Sequence, residues 1–329
     1  MIKSGRLFNN GHITTPYSII ESFGRLRRTF FGPKKNNNSK IDYIPKKYQL
    51  NKITPKYRVS FIGDIMALNT KKLTIDNSVH QFIDGSDFLI GNFEGTITSE
   101  KKKLMDKRHK PWIMDTLEAL FPPKKTFLSV ANNHSGDFGI YGFTISIKQL
   151  VQRGFNVFGT EKNPYIDLSE KIRVVGSTRW SNRPCNYLVE LEDSYHYLKK
   201  SAFNILFPHW GYELELFPRI GTINHGRIML DKFDALIGHH SHCPQPISFF
   251  PINNINKIIA YSLGDFCIGT ESKKCPVMQY GLIIKTEIGT NNEGKWLIGK
   301  LKWNFIKSDS PSKKKTTIKT VNIKSNCFY

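Results

Sequence analysis

Residues 128–139 read LSVANNHSGDFG: four apolar or small residues run directly into Asn132, Asn133 and His134, and the chain then turns on Gly136, Asp137 and Gly139. The apolar part has no polar face, which is how a strand buried on both sides reads. Its carboxyl end delivers two amides and an imidazole to one place.

The same pattern recurs along the chain. Apolar runs occupy YRVSFIG (57–63), DFLIGNFEG (87–95), FNILFPHWG (203–211), DALIGHHSH (234–242) and KIIAYSLGDF (257–266). Between them, residues 139–154 space Ile140, Phe143, Ile147, Leu150 and Val151 at helical intervals and stop at Gly154. A second helix is expected over about Ile223–Phe233. Alternating strands and helices predict an α/β sandwich with helices outside. Residues 286–309 read as a β-hairpin around NNEG, and 316–323 alternate as a last edge strand.

Each apolar run stops at groups that can bind a cation. The strand ends carry Asp64, with Met66 two residues on, then Asn92 and Glu94, then Asn132, Asn133 and His134. Next come His209, the cluster His239, His240 and His242, and finally Asp265. In open α/β sheets the carboxyl ends of strands line the ligand crevice, so these groups are expected to converge. Carboxylates, amides and imidazoles without a thiolate suit Mn²⁺, Zn²⁺ or Fe, with one or two ions. On an extended chain His240 and His242 would face the same side. Taken singly, each residue has a plainer use: a helix cap for Asp64, a core histidine for His209, a turn for Asn133. Their ordered recurrence is what coincidence explains badly.

Charge is unevenly spread. Residues 1–58 carry 13 Lys and Arg against Glu21 and Asp42, and residues 300–329 carry eight Lys against Asp309, so the ends hold 18 of the 21 net positive charges. Basic ends attract a polyanionic polymer, an anionic membrane surface or nucleic acid without choosing among them; solubilising lysine is the plainer account. Ser18–Phe31 fits a basic amphipathic helix, either on an anionic surface or docked on the core. GPKKNNNSK (32–40) reads as a linker. The expected organisation is a basic extension over 1–56, one domain over 57–309, and a basic tail or edge strand over 310–329.

The five scattered cysteines, without a CxxC pair, argue against a disulfide framework. No apolar run approaches the ~18–20 residues that span a bilayer, and the first 30 residues hold no apolar block of signal-peptide type. The expected location is the cytoplasm, or the periphery of a membrane.

In order, GDIM, GNFEG, ANNHSGDFG, HWGYE, GHHSHCPQ and YSLGDF resemble the CapA-type capsule-synthesis family, associated with poly-γ-glutamate production and similar to the calcineurin-like metallophosphoesterases. The resemblance covers about 57–270 and implies the metallophosphoesterase sandwich as the fold. It implies Asp64, Glu94, Asn133, His209, His240 and His242 as metal ligands, and His134 beside the leaving group. Met66 stands where the phosphoesterase pattern has a histidine, which removes one ligand of a two-metal site. Asp265 replaces the family's usual asparagine and adds a carboxylate with an acid/base or a turn role. Asn92, Asn132 and His239 flank the set. Three functions stay open: metal-dependent hydrolysis of a phosphoester or a glutamyl amide, a metal-dependent peptide epimerase, and a non-enzymatic subunit of a polymer synthesis or export assembly.

Overall fold

The computed structural model describes residues 18–103, 105–183, 185–269 and 275–324. Two β-sheets lie face to face. The first runs Lys72–Ile75, Lys315–Val321, Trp296–Ser312, Tyr280–Thr290, Thr54–Ile65, Phe88–Phe93, Thr126–Ser129, Asn156–Phe158, with Lys47–Gln49 added on Trp296–Ser312 and Asp265–Cys267 on Thr54–Ile65. The second runs Ile247–Ile252, Ile255–Ala260, Ala235–Ile237, Phe203–His209, Ile172–Thr178, Tyr165–Ser169.

The unbroken apolar runs are explained by two buried faces. Alternate residues point to opposite sides of a strand. Phe61, Ile90, Phe127 and Phe158 therefore meet Val174, Ile205, Phe207 and Ile258 between the sheets, with the Phe61 and Phe207 rings 6.3 Å apart. Their neighbours Ile62, Leu89 and Leu128 face outward into helices α2 (Asn77–Ile83), α3 (Trp112–Leu120) and α4 (Gly139–Gln152). On the far side, Leu206, Leu236 and Ile259 pack on α5 (Ile220–Met229). The layers are thus helix, sheet, sheet, helix, as the α/β reading expects.

Several details differ from expectation. Helix α4 buries Phe143 and Leu150 but leaves Ile140 and Val151 more than half exposed. Helix α5 starts at Ile220 and ends at Met229, three to four residues early at each end. The hairpin strands are longer than read, Tyr280–Thr290 and Trp296–Ser312. Its turn is fixed by Asn291, whose Oδ1 accepts from the Glu293 and Lys295 amides, and by Gly294 at φ 76°. Lys315–Val321 is not an edge: Lys72–Ile75 adds to it in parallel, so it lies inside the sheet.

The N-terminal region also differs. Residues 33–50 lie against the domain: Ile44 and Leu50 are in the core, and the Tyr43 ring packs, tilted by 30°, 5.1 Å from Trp303. Lys47–Gln49 pairs antiparallel with Trp296–Ser312. Helix α1 (Ile19–Phe31) forms where expected, with the Ser18 hydroxyl accepting from the Glu21 amide. It docks on the domain through charge. Arg25 pairs with Glu213, Arg28 with Glu215, and Arg219 with Glu21. The apolar residues Ile19, Ile20, Phe23, Phe30 and Phe31 face outward. The four cysteines among the described residues are free thiols, and among those residues no helix is long and apolar enough to cross a membrane.

Candidate metal centre

Parallel pairing brings the strand ends level. Asp265 lies opposite Asp64, Asp64 opposite Asn92, and Asn92 opposite Ser129, just before Asn132–His134. In the second sheet His209 bridges to His239. The approach is close: a Cβ on Gly63 would lie 2.0 Å from the Gly264 carbonyl oxygen, so only glycine fits where the chain passes the 263–265 turn.

One donor atom from each of Asp64, Glu94 and His209 lies within 4.8 Å of the others, and Asp64, His242 and Asp265 form a second such group. Asp64 belongs to both. Around His209 Nε2 stand Asn133 Oδ1 at 2.9 Å, His240 Nδ1 at 3.0 Å and Glu94 Oε2 at 4.0 Å. On the other side His242 Nε2 is 3.8 Å from Glu94 Oε1, while its Nδ1 is 2.8 Å from Asp265 Oδ1. All six side chains expected as ligands therefore meet, and Asp265 joins them.

The histidine pair arrives by an unexpected route. The chain there is not extended: His240 has φ 98° and His242 φ 52°, both in the left-handed region that side chains disfavour. The Asp64 carboxylate holds this conformation by accepting from the His240 amide at 3.1 Å.

The flanking residues orient the set. Asn92 donates to Asp64 Oδ1 at 2.7 Å and lies 3.2 Å from His209 Nδ1. Asn132 donates to the Phe93 carbonyl at 2.9 Å and to Asn92 at 3.3 Å. His239 packs 4.1 Å from the Phe207 ring, with Nδ1 3.7 Å from Asp64. Met66 is buried, and its amide donates to Cys267. His134 Nδ1 is 2.7 Å from Asp137 Oδ2, which also accepts from the Lys107 amide at 2.7 Å. The other ring nitrogen, Nε2, faces Glu94 Oε1 at 3.8 Å.

Burial dominates the electrostatics. It pushes Asp64 up to about 7, and Asp265 adds to the rise. Glu94 is raised well above its usual range, by burial and then by Asp64. His239 and His240 fall to about 3, and burial, with the neighbouring imidazoles, also holds His209 well below its ordinary value. His134 is also lowered by burial, against the pull of Asp137. His242 goes the other way: burial opposes its charge, but Asp265 and Glu94 outweigh that and raise it to about 10.

Glu94 tests whether this pocket suits a cation. It is fully buried, and neither carboxylate oxygen has a hydrogen-bond partner among the described residues. A buried carboxylate in that state is costly unless positive charge faces it. The two oxygens face His134, His209 and His242 at 3.8–4.0 Å, a spacing that leaves room between donors. The donor set fits a divalent ion.

Four further residues belong to the surroundings. Asp137 stood in the quoted 128–139 stretch, three places after His134. Glu213 closes HWGYE; it is buried, yet Arg25, then His242 and His240, outweigh burial and hold its carboxyl at about 2. Asn182 lies 3.4 Å from both His134 ring nitrogens and donates its amide to the Asn133 carbonyl at 2.9 Å, with no signal in the sequence. His109 fixes the strand behind, with Nε2 3.0 Å from the Glu94 carbonyl.

The model of the bacterial capsule synthesis protein family PGA_cap matches residues 58–181 and 181–270. The PGA biosynthesis protein CapA of Bacillus subtilis (strain 168) is 26 % identical over 258 residues, 68 % of this chain and 67 % of that protein. The capsule biosynthesis protein CapA of Bacillus anthracis is 25 % identical over 268 residues, 69 % of this chain and 64 % of that protein. The chain thus spans about two thirds of these curated relatives. A solved Staphylococcus aureus structure, described as a 5'-nucleotidase in complex with alpha-ketoglutarate, superposes with TM-score 0.44 at 13 % identity, over 78 % of this chain and 55 % of that one. Every strand-end group above lies inside the span matched by the family model.

Proposed function

The chain belongs to the bacterial capsule synthesis protein family, and from that premise we propose that it is a metal-dependent hydrolase cleaving a phosphoester or a glutamyl amide in the making of a capsule polymer. The observation that carries this reading is Glu94, fully buried with two unpartnered oxygens inside a ring of imidazoles. Asp64, Glu94, Asn133, His209 and His240 would hold one ion. Asp64, His242 and Asp265 offer a second donor set. Oxygen and imidazole ligands suit Mn²⁺, Zn²⁺ or Fe. When bound, such an ion polarises the bond under attack and acidifies water.

The protein supplies the proton traffic. Asp137 accepts the Nδ1 hydrogen of His134, which fixes the tautomer and leaves Nε2 aimed at the centre. Burial keeps the resting ring neutral, so Nε2 begins as an acceptor. It takes the proton released by attacking water and passes it to the leaving oxygen or nitrogen. Asn92 and Asn132 hold Asp64 and the Asn92–Phe93 backbone in place.

The test is elemental analysis of purified wild type and Asp64→Ala, followed by turnover of an aryl phosphate and a γ-glutamyl anilide. One or two equivalents of metal are expected in wild type and none in the variant. His134→Ala should lower turnover ~10²–10⁴-fold while keeping the metal. Wild type that takes up no Mn²⁺, Zn²⁺ or Fe overturns the proposal.

A further inference from the structure

An ordinary surface helix turns its apolar stripe to the core and its charges to water. Helix α1 does the reverse. Glu21, Arg25 and Arg28 stand at i, i+4 and i+7, on one face, and that face meets the domain. Arg25 pairs with Glu213, Arg28 with Glu215, and Arg219 holds Glu21 at 2.7 and 2.8 Å. The opposite side carries Ile19, Phe23, Leu26 and Phe30 in one stripe, with Ile20 and Phe31 beside it. Leu26 is 47 % exposed and the other five are 65–84 % exposed. Cations border this face. Arg27 lies between Ile20 and Phe31 on the helix surface, Lys34 and Lys35 follow the helix, and all three are exposed. Over residues 18–40 six Lys and Arg stand against one acid, Glu21.

Contiguous exposed apolar surface marks a place that another body covers. We propose that this body is an anionic bilayer surface, into whose headgroup layer α1 lays Ile19, Phe23, Phe30 and Phe31. Charge selects it. The carboxylates of 213–219 take up the inward arginines, and the outward cations are left for acidic lipid headgroups. A second copy would set Arg27, Lys34 and Lys35 against the same cations, on two molecules that each carry a net charge of +21. An anionic lipid surface attracts those cations instead. Among the described residues no helix is long and apolar enough to span a bilayer, so α1 would lie on the surface. The contact needs neither a bound metal nor turnover.

The experiment sediments the full chain with vesicles of phosphatidylcholine, alone or with roughly a third phosphatidylserine. Binding should be ~10–100-fold tighter with phosphatidylserine, as two or three cations near the surface give. Phe23→Ser/Phe30→Ser should weaken binding to the anionic vesicles ~10–100-fold, because the apolar face is cut back. Ile20→Ser/Phe31→Ser, on the other edge of that face, should lose as much. Arg27→Gln should cost about fivefold. Lys300→Gln removes the same charge from an exposed site on the first sheet and should stay within about twofold. Wild type that ignores anionic vesicles, or binds both kinds equally, overturns the proposal. So do serine variants that bind like wild type, or equal losses from Arg27→Gln and Lys300→Gln, which mean general adhesion of a basic protein. Light scattering without lipid reads the other occupant: a dimer that Phe23→Ser/Phe30→Ser breaks gives the face to a second copy and overturns the proposal too.

Discussion

Two clusters of buried charge lie side by side in this molecule, and they are balanced in opposite ways. Between α1 and residues 213–219 each carboxylate has a cation from the chain: Glu213 has Arg25, Glu215 has Arg28, Lys34 and Arg219, and Glu21 has Arg219. At the strand ends Asp64, Glu94 and Asp265 face imidazoles and amides, and both Glu94 oxygens stay unpartnered among the described residues. One cluster is closed on itself. The other has a deficit of positive charge, and a deficit in a buried place marks where a cation from solution belongs.

The contrast is broken most strongly from the closed side. Glu215→Ala leaves three cations without their shared carboxylate and should cost ~3–5 kcal/mol in urea unfolding, the usual size for breaking a buried pair. An unchanged midpoint would mean the cluster is not a closed unit. At the open side, saturation with Mn²⁺ or Zn²⁺ at about 100 times Kd should stabilise the fold by ~2.7 kcal/mol, an increment missing in Asp64→Ala.

The pH signatures should run in opposite directions. Folded, metal-free Asp64 keeps its proton to about 7, against 3.8 for the ordinary group, so its contribution to stability falls as pH rises through that window. Saturating metal displaces the proton and removes the decline. Glu213, held at about 2, contributes above its ordinary 4.5 and is lost as pH falls toward 2. Thermal melts across pH with and without metal read both.

The smaller effects sharpen the comparison. Glu94→Gln should raise metal-free stability at neutral pH by ~1–3 kcal/mol while weakening metal binding, since the cost of holding a buried carboxyl protonated above its ordinary 4.5 is removed. The opposite sign would mean the carboxylate is satisfied by the chain. Glu21→Gln, at the partly exposed rim, should cost less than ~1 kcal/mol and fade in salt.

Much of the centre was legible because chemistry and periodicity coincide. Runs such as 57–63 and 203–209 are apolar on both faces, so they read as interior strands, and their polar ends announce where a ligand sits. The strand-end groups from Asp64 to Asp265 could be gathered from that alone; singling out Asp64, Glu94, Asn133, His209, His240 and His242 as ligands took the resemblance to the capsule-synthesis family. What failed was whatever depends on distant partners. The amphipathic pattern of 18–31 says which residues share a face, not which face turns inward. Glu213 and Glu215 decide that, drawing Arg25 and Arg28 in and leaving Phe23, Phe30 and Phe31 outside. The 316–323 strand read as an edge because nothing in Lys72–Ile75 announces a parallel partner. His240 and His242 reach one centre on a left-handed turn, which the HxH spacing on an extended strand did not foresee.

The Arg25–Glu213 contact spans 188 positions of chain. During synthesis from the N-terminus, α1 leaves the ribosome long before the carboxylates that receive it exist. At ~5–20 residues per second the wait is roughly 10–40 s. For that time its arginines lack the carboxylates of 213–219, so α1 cannot dock as it does here until the chain has been made past those residues.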